Sequence, residues 1–197
     1  MYGIYDGGQV IAQFAAPLTV RSNVPVFQSD TLSLRRFTTK RAAQRWEIES
    51  NLEPLTFGAQ ALFAHLVQKG LHDTLQVIVP QNYGVIKART ATVSPVTATG
   101  SLGATQVTVD GNTGLIPKGT FLKFANGGKV YMATSDLTGN GVLNIYPQLK
   151  VAVSGTNMYH LDDVVMTCYY DVGTVQGMAY TDGIMMDVGS VKLVEAL

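Results

Sequence analysis

Residues 124 to 131 read "FANGGKVY". Two glycines running into a lysine have the outline of a loop that wraps a nucleotide phosphate, which would make the chain an α/β nucleotide binder. Such a loop needs a glycine five positions before the Gly-Lys pair and Ser or Thr after it, because backbone N–H groups wrap the phosphates and a hydroxyl reaches magnesium. Position 123 is Lys and position 130 is Val, so the motif fails at both ends. The flanks "TFLKF" and "KVYMAT" read as strands instead. Because Asn and Gly tolerate the positive φ of tight connections, Asn126 to Gly128 is predicted to join two strands of a hairpin.

The same rhythm extends outward from this stretch. "QVTVDG", "GVLNIYP" and "VAVSGTNMYH" repeat short strands at a spacing of about ten residues, with Asp110-Gly111 and Asn140-Gly141 as further turns, the pattern of a small barrel or sandwich. The preceding "TVSPVTATGSLGAT" is small, polar and marked by Gly and Pro, the composition of a boundary between units. Toward the N-terminus, "QVIAQF", "PLTVRS" and "DTLSLRRF" read as strand, turn, strand. "RWEIESNLEP" alternates Trp46, Ile48, Ser50 and Leu52 on one face with Glu47, Glu49, Asn51 and Glu53 on the other, a half-buried strand with a solvated acidic face.

One helix is predicted over about 56–69. Thr56 caps it, Ala59, Leu62, Phe63, Leu66 and Val67 form its apolar stripe, and Gly70 ends it. "LQVIVP" returns to strand and "VIKART" is a further candidate. The tail holds two or three more strands, with Asp182-Gly183 as a turn. These strands either extend the small barrel or return to the N-terminal sheet, and the second arrangement is preferred. The fold class is therefore mainly β with one helix. A β-sandwich-like N-terminal unit (1–95), completed by 163–197, is joined to a small all-β barrel or sandwich (96–162) as an insertion.

Charged residues make up 14% of the chain, against roughly 25% in typical soluble domains. So charge-poor a surface suits permanent contact with other subunits better than free diffusion, and favours an assembled protein. The net charge is zero but uneven. Arg35, Arg36, Lys40, Arg41 and Arg45 form a basic run, whereas the C-terminal region carries Asp162, Asp163, Asp171, Asp182, Asp187 and Glu195 against Lys192. If the two patches meet on neighbouring copies, the contact is head-to-tail and can close into a ring. The ten residues from Arg35 to Asp187 in these groups, Glu195 and Lys192 aside, are the candidate subunit interface. No membrane-length apolar run and no secretory leader is read, so the chain is expected to be made in and stay in a cytosol, without membrane insertion. Neutrality and the lack of a recognition helix argue against nucleic acid.

Chemistry-bearing residues are sparse. His65, His72 and His160 lack metal-site spacing and are read as separate surface or capping histidines. Cys168, the only cysteine, sits in the apolar alternation "VVMTCYY" and is read as a buried small hydrophobe, not as a nucleophile served by His160 and Asp162. Glu47, Glu49 and Glu53 form a solvated strand face rather than a glycosidase pair. No catalytic residue, metal site or cofactor is expected, and the chain is not read as an enzyme.

Four segments carry a resemblance: "RWEIESNLEPLT", a short helix ending in "LVQKG", "GATQVTVDGNTGLIPKGTFLKFANGGKVYMATSDLTGNGVLNIYPQL" and the terminus "VGSVKLVEAL". Together they are similar to structural proteins of the tail tip or baseplate of tailed bacteriophages and resemble distal tail proteins. The likeness covers roughly residues 41 to 72 and 100 to 197 and is strongest from Val107 to Leu149. It implies a virion protein of the tail, forming a homo-oligomeric and by resemblance hexameric ring between the tail tube and the baseplate hub, fibre or adhesin proteins. The alternative is a carbohydrate-binding module for host-surface attachment, using Trp46 and the tyrosines as stacking platforms.

Overall fold

The computed structural model describes residues 2–6, 8–30, 35–40, 43–54, 64–65, 67–69, 73–81, 95–161, 164–171, 179–181, 184–187 and 190–197. Its strands are β1 (Gly3–Asp6), β2 (Gln9–Phe14), β3 (Thr19–Asn23), β4 (Val26–Asp30), β5 (Arg36–Lys40), β6 (Arg45–Pro54) and β7 (Leu75–Ile78). Then come β8 (Thr97–Gly100), β9 (Gln106–Asp110), β10 (Leu115–Ile116), β11 (Phe121–Phe124), β12 (Val130–Ala133), β13 (Leu137–Thr138), β14 (Gly141–Tyr146) and β15 (Val153–Tyr159). The last are β16 (Val165–Tyr170), β17 (Ala179–Thr181), β18 (Ile184–Asp187) and β19 (Ser190–Glu195). The chain is mainly β.

The first sheet runs β19-β16-β7-β1-β2-β6-β3, and an additional β19–β6 pairing joins its far members. Six strands thus follow one another around a hydrogen-bonded ring, with β3 continuing the line of β2 along the same edge of β6. The residues between β2 and β3 contain the cis Ala16–Pro17 bond. The long strand β6 holds this arrangement together because its alternation is strict. Trp46, Ile48, Ser50 and Leu52 are buried, whereas Glu49, Asn51 and Glu53 face water. Ile4, Val77, Met166, Cys168 and Leu193 complete the ring's core.

Residues 97–159 form a closed barrel of order β11-β12-β14-β9-β8-β15. The chain leaves the ring after β7 and returns on its neighbour β16, where Val79 N donates to Val164 O at 2.9 Å. Leu122, Phe124, Val107, Val109, Leu143 and Ile145 fill the barrel, each at an inward position of an alternating strand. The expected turn at Asp110-Gly111 has φ +79 at Gly111, where an added Cβ would also meet the Pro95 carbonyl at 2.9 Å. The connection at Asn126 to Gly128 is a hairpin, as β11 and β12 pair antiparallel. Its glycines do not supply positive φ, however. The turn is held by Gly127 N on Phe124 O at 3.1 Å and by the Asn126 side chain on Ala152 O at 2.9 Å.

Several sequence expectations shift. The boundary segment is partly structural, since Thr97–Gly100 is barrel strand β8; alternation of Val96 and Ala98 inward outweighs its turn-like composition. The strand expected over "DTLSLRRF" is instead split, with β4 ending at Asp30 and β5 starting at Arg36 as an antiparallel pair. Of the helix, residues 64–65 and 67–69 are helical and the remainder lies outside the described residues, as does "VIKART". Val67, placed in the apolar stripe, is 65% exposed while His65 is 4% exposed. Two residues on a helix are about 200° apart, so seating His65 inward turns Val67 to solvent.

Barrel and ring share an interface along β11 and β12. Leu122, Phe124, Tyr131 and Ala133 face the barrel interior, whereas Phe121, Val130 and Met132 pack against the ring core. Strands buried on both faces read as continuous apolar runs, and "KVYMAT" is one.

Candidate subunit interface

Strands β4 and β5 form a two-stranded sheet of their own, with every described side chain exposed. Register assigns the faces. Phe27 lies opposite Thr39 and Ser29 opposite Phe37, so both phenylalanines share one face. Val26, Gln28, Asp30, Arg36 and Thr38 occupy the other, where Arg36 Nε meets Asp30 Oδ1 at 3.1 Å. The hairpin is an amphipathic ribbon, polar on one side and aromatic on the other. Phe27 is 71% and Phe37 56% exposed, and the Arg35 guanidinium lies over the Phe37 ring at 6.0 Å. An isolated two-stranded hairpin is marginal in water, and two large aromatics held outward on one add an apolar patch.

The structure places six of the ten predicted interface residues. Arg35, Arg36 and Lys40 are on or beside this arm, and Arg45 is exposed at the start of β6, paired in register with Asn23. Asp171 follows β16 and meets Lys192 Nζ at 3.1 Å. Asp187 ends β18, and Arg41, Asp162, Asp163 and Asp182 lie outside the described residues. Two of the candidate charges are therefore already paired within the chain: Arg36 with Asp30, and Asp171 with Lys192, which Glu47 also approaches at 3.4 Å. These bonds hold Lys192 above its ordinary 10.5.

A second cluster joins the barrel to the ring. Glu195 is completely buried and accepts from Val130 N at 2.8 Å, from Trp46 N at 3.0 Å and from the ammonium of Lys129. Lys129 also donates to Gln44 O at 3.1 Å, and Trp46 Nε1 donates to Val130 O at 2.8 Å. Burial pushes Lys129 below its ordinary 10.5, and Glu195 opposes the shift. Lys123, also lowered by burial, reaches Val165 O at 2.8 Å, and the Gln81 amide bonds both Phe121 N and Phe121 O. With the Glu195 carboxylate and the Lys129 ammonium both bonded across it, the junction locks the two units together.

The lysine of "FANGGKVY" thus has a role that neither the phosphate reading nor the hairpin reading gave it. A signal was present: Val191, Leu193 and Glu195 share one phase of a period-2 pattern, which points Glu195 inward.

Cys168 is fully buried and its thiol is pushed well up by burial, far from a nucleophile's range. His160 is 7% exposed, and His65 lies with Nδ1 3.3 Å from Asp6 beside a cavity of about 270 Å³. Both therefore correct the surface reading of the histidines, while His72 is outside the described residues. Glu49 pairs with Arg21 at 3.4 Å on the solvated face. Among the described residues no three His, Cys, Asp or Glu side chains converge as metal ligands, and no helix is long and apolar enough to cross a membrane. Trp46, offered as a stacking platform, is 5% exposed, with Phe121 and Tyr146 edge-on to its ring at 5.1 and 6.4 Å. It fills the junction between ring and barrel.

No protein-family model matches the chain, and no curated protein matches it.

Proposed function

We propose that this chain is a structural subunit of a virion, at the tail tip or baseplate of a tailed bacteriophage, assembling into a ring that links the tail tube to baseplate or receptor-binding components. The observation that carries the reading is the arm. A ribbon with one aromatic face directed to solvent is a docking element, and a chain that makes it has a use for it only when something covers that face. Low charge supports the same conclusion, as 28 ionised side chains among 197 residues leave much neutral polar surface for contact. The likeness of "RWEIESNLEPLT" and of the Val107 to Leu149 block to distal tail proteins supplies the particular assembly. The chain would do no catalysis in this role; its rigid two-barrel body would position what is attached above and below.

Mass measurement by light scattering tests the reading, followed by class averages in electron microscopy. The expected result is a multiple of 21.1 kDa with ring-shaped projections. A single 21.1 kDa species at high concentration, with the chain missing from particles, overturns it.

A further inference from the structure

Beside the cis-Pro17 segment, Tyr2, Phe14, Ala15, Leu18 and Pro80 line an open notch of about 140 Å³. Phe14 and Leu18 are themselves packed against the ring core, so its walls are fixed. An apolar cavity of roughly 150 Å³ accepts a benzene ring. The notch therefore has the size and chemistry for one phenyl group.

We infer that the arm of one copy docks its aromatic face on this notch of the next copy, seating a phenylalanine ring between Phe14, Leu18 and Pro80. This rests on the ring-assembly reading and names the contact that would build it. A second copy is the occupant for three reasons. The notch and the arm's root lie at opposite ends of β3, whose five residues span roughly 17 Å when extended, so the root stands that far from its own notch. The charges match as well: Gln13, another wall of the notch, stands directly opposite Glu53, an exposed carboxylate with no ion pair among the described residues. Arg35, carried over Phe37 on the arm's aromatic face, is the cation that would meet it. Finally, donor and acceptor are different patches, so the contact is heterologous and repeats around a closed ring.

The test mixes two variants of the full chain, Phe27→Cys and Leu18→Cys, under mild oxidation and with a short bis-maleimide. Cys168 is fully buried and leaves a silent background. Cross-linked pairs in the mixture, and a ladder of multiples in the doubly substituted chain, are expected. In parallel, Phe27→Ala or Phe37→Ala, whichever removes the seated ring, should weaken assembly by roughly thirtyfold or more, the scale of a buried aromatic anchor. Arg35→Glu and Glu53→Arg should each impair it, with recovery when both are combined, an outcome that misfolding does not produce. Dimers formed by Phe27→Cys alone would mean arm-to-arm pairing and overturn the inference. So would a cross-link confined to single doubly substituted chains. Intact oligomers with no cross-link and no effect of the arm variants overturn this contact while leaving the ring reading standing. A monomer under all conditions removes both.

Discussion

Removing Lys129 from its buried site opposite Glu195 is the sharpest test of how the two units are joined. In Lys129→Met the carboxylate keeps Val130 N and Trp46 N but loses the ammonium bonded to it at a fully buried position. Taking one partner from a buried ion pair costs about 3–5 kcal/mol. Glu195→Gln is nearly isosteric and strands the ammonium instead, with a cost of the same order. Making both changes leaves a neutral junction in which the glutamine still accepts from a backbone amide. The double variant should therefore lose less than the two singles together, with a coupling of about 2 kcal/mol or more. For a chain of this size each kcal/mol moves Tm by roughly 2–4 °C, so each single should melt about 6–20 °C lower. Urea unfolding followed by Trp46 fluorescence is the assay, since the only tryptophan donates its indole N–H to Val130 O at this junction. Single variants within about 1 kcal/mol of the parent, or effects that simply add, would falsify the view that this pair locks barrel to ring.

Three other outcomes are expected. Asn112 bonds Gly114 O, Gly139 O and Gly114 N with its buried side chain, so Asn112→Ala should lower stability by about 2–3 kcal/mol in the same denaturation assay. A Cβ on Gly3 would fall 1.8 Å from the Ala12 carbonyl oxygen, so Gly3→Ala should force β1 from β2 and cost more than about 2 kcal/mol; an unchanged melting curve would contradict the register. Lys69 and the Thr74 amide hold Asp73 below its ordinary 3.8. The stability this carboxylate contributes is therefore present above 3.8 and lost as pH falls through its lowered value. A carboxyl titration by NMR should show a midpoint under 3.8 that moves back toward it in Lys69→Met.

Strands were legible wherever one face is wet. "RWEIESNLEP" shows its buried and solvated faces in the letters, and the barrel strands do the same, because burial on one side imposes a period of two. Legibility fell where a second contact intervened. Thr97 to Gly100 looked like a linker because small residues suffice where a strand only closes a narrow barrel. His65 displaced Val67 from the helix's inner face because the ring, not hydropathy alone, sets how the helix turns. The aromatic face of the arm was obscured since Phe27 and Phe37 are ten positions apart and only the register across the hairpin brings them to one side. The polar junction was hidden for a similar reason. Lys129 and Glu195 are each unremarkable among surface charges, and what makes them a pair is a meeting between two units that no local pattern encodes.

The insertion of the barrel between β7 and β16 also orders events on the ribosome. All six barrel strands emerge before β16 or β19, so the insert can close on its own core while the surrounding ring still lacks two members. Translation from Tyr159 to Glu195 takes roughly 2–7 s at ~5–20 residues per second. During that interval the outer edges of β6 and β7 are open to pairing with a wrong strand, the hazard of any bare sheet margin. β16 covers the edge of β7, and the late arrival of β19 closes that of β6 and delivers the carboxylate that fastens the finished insert in place.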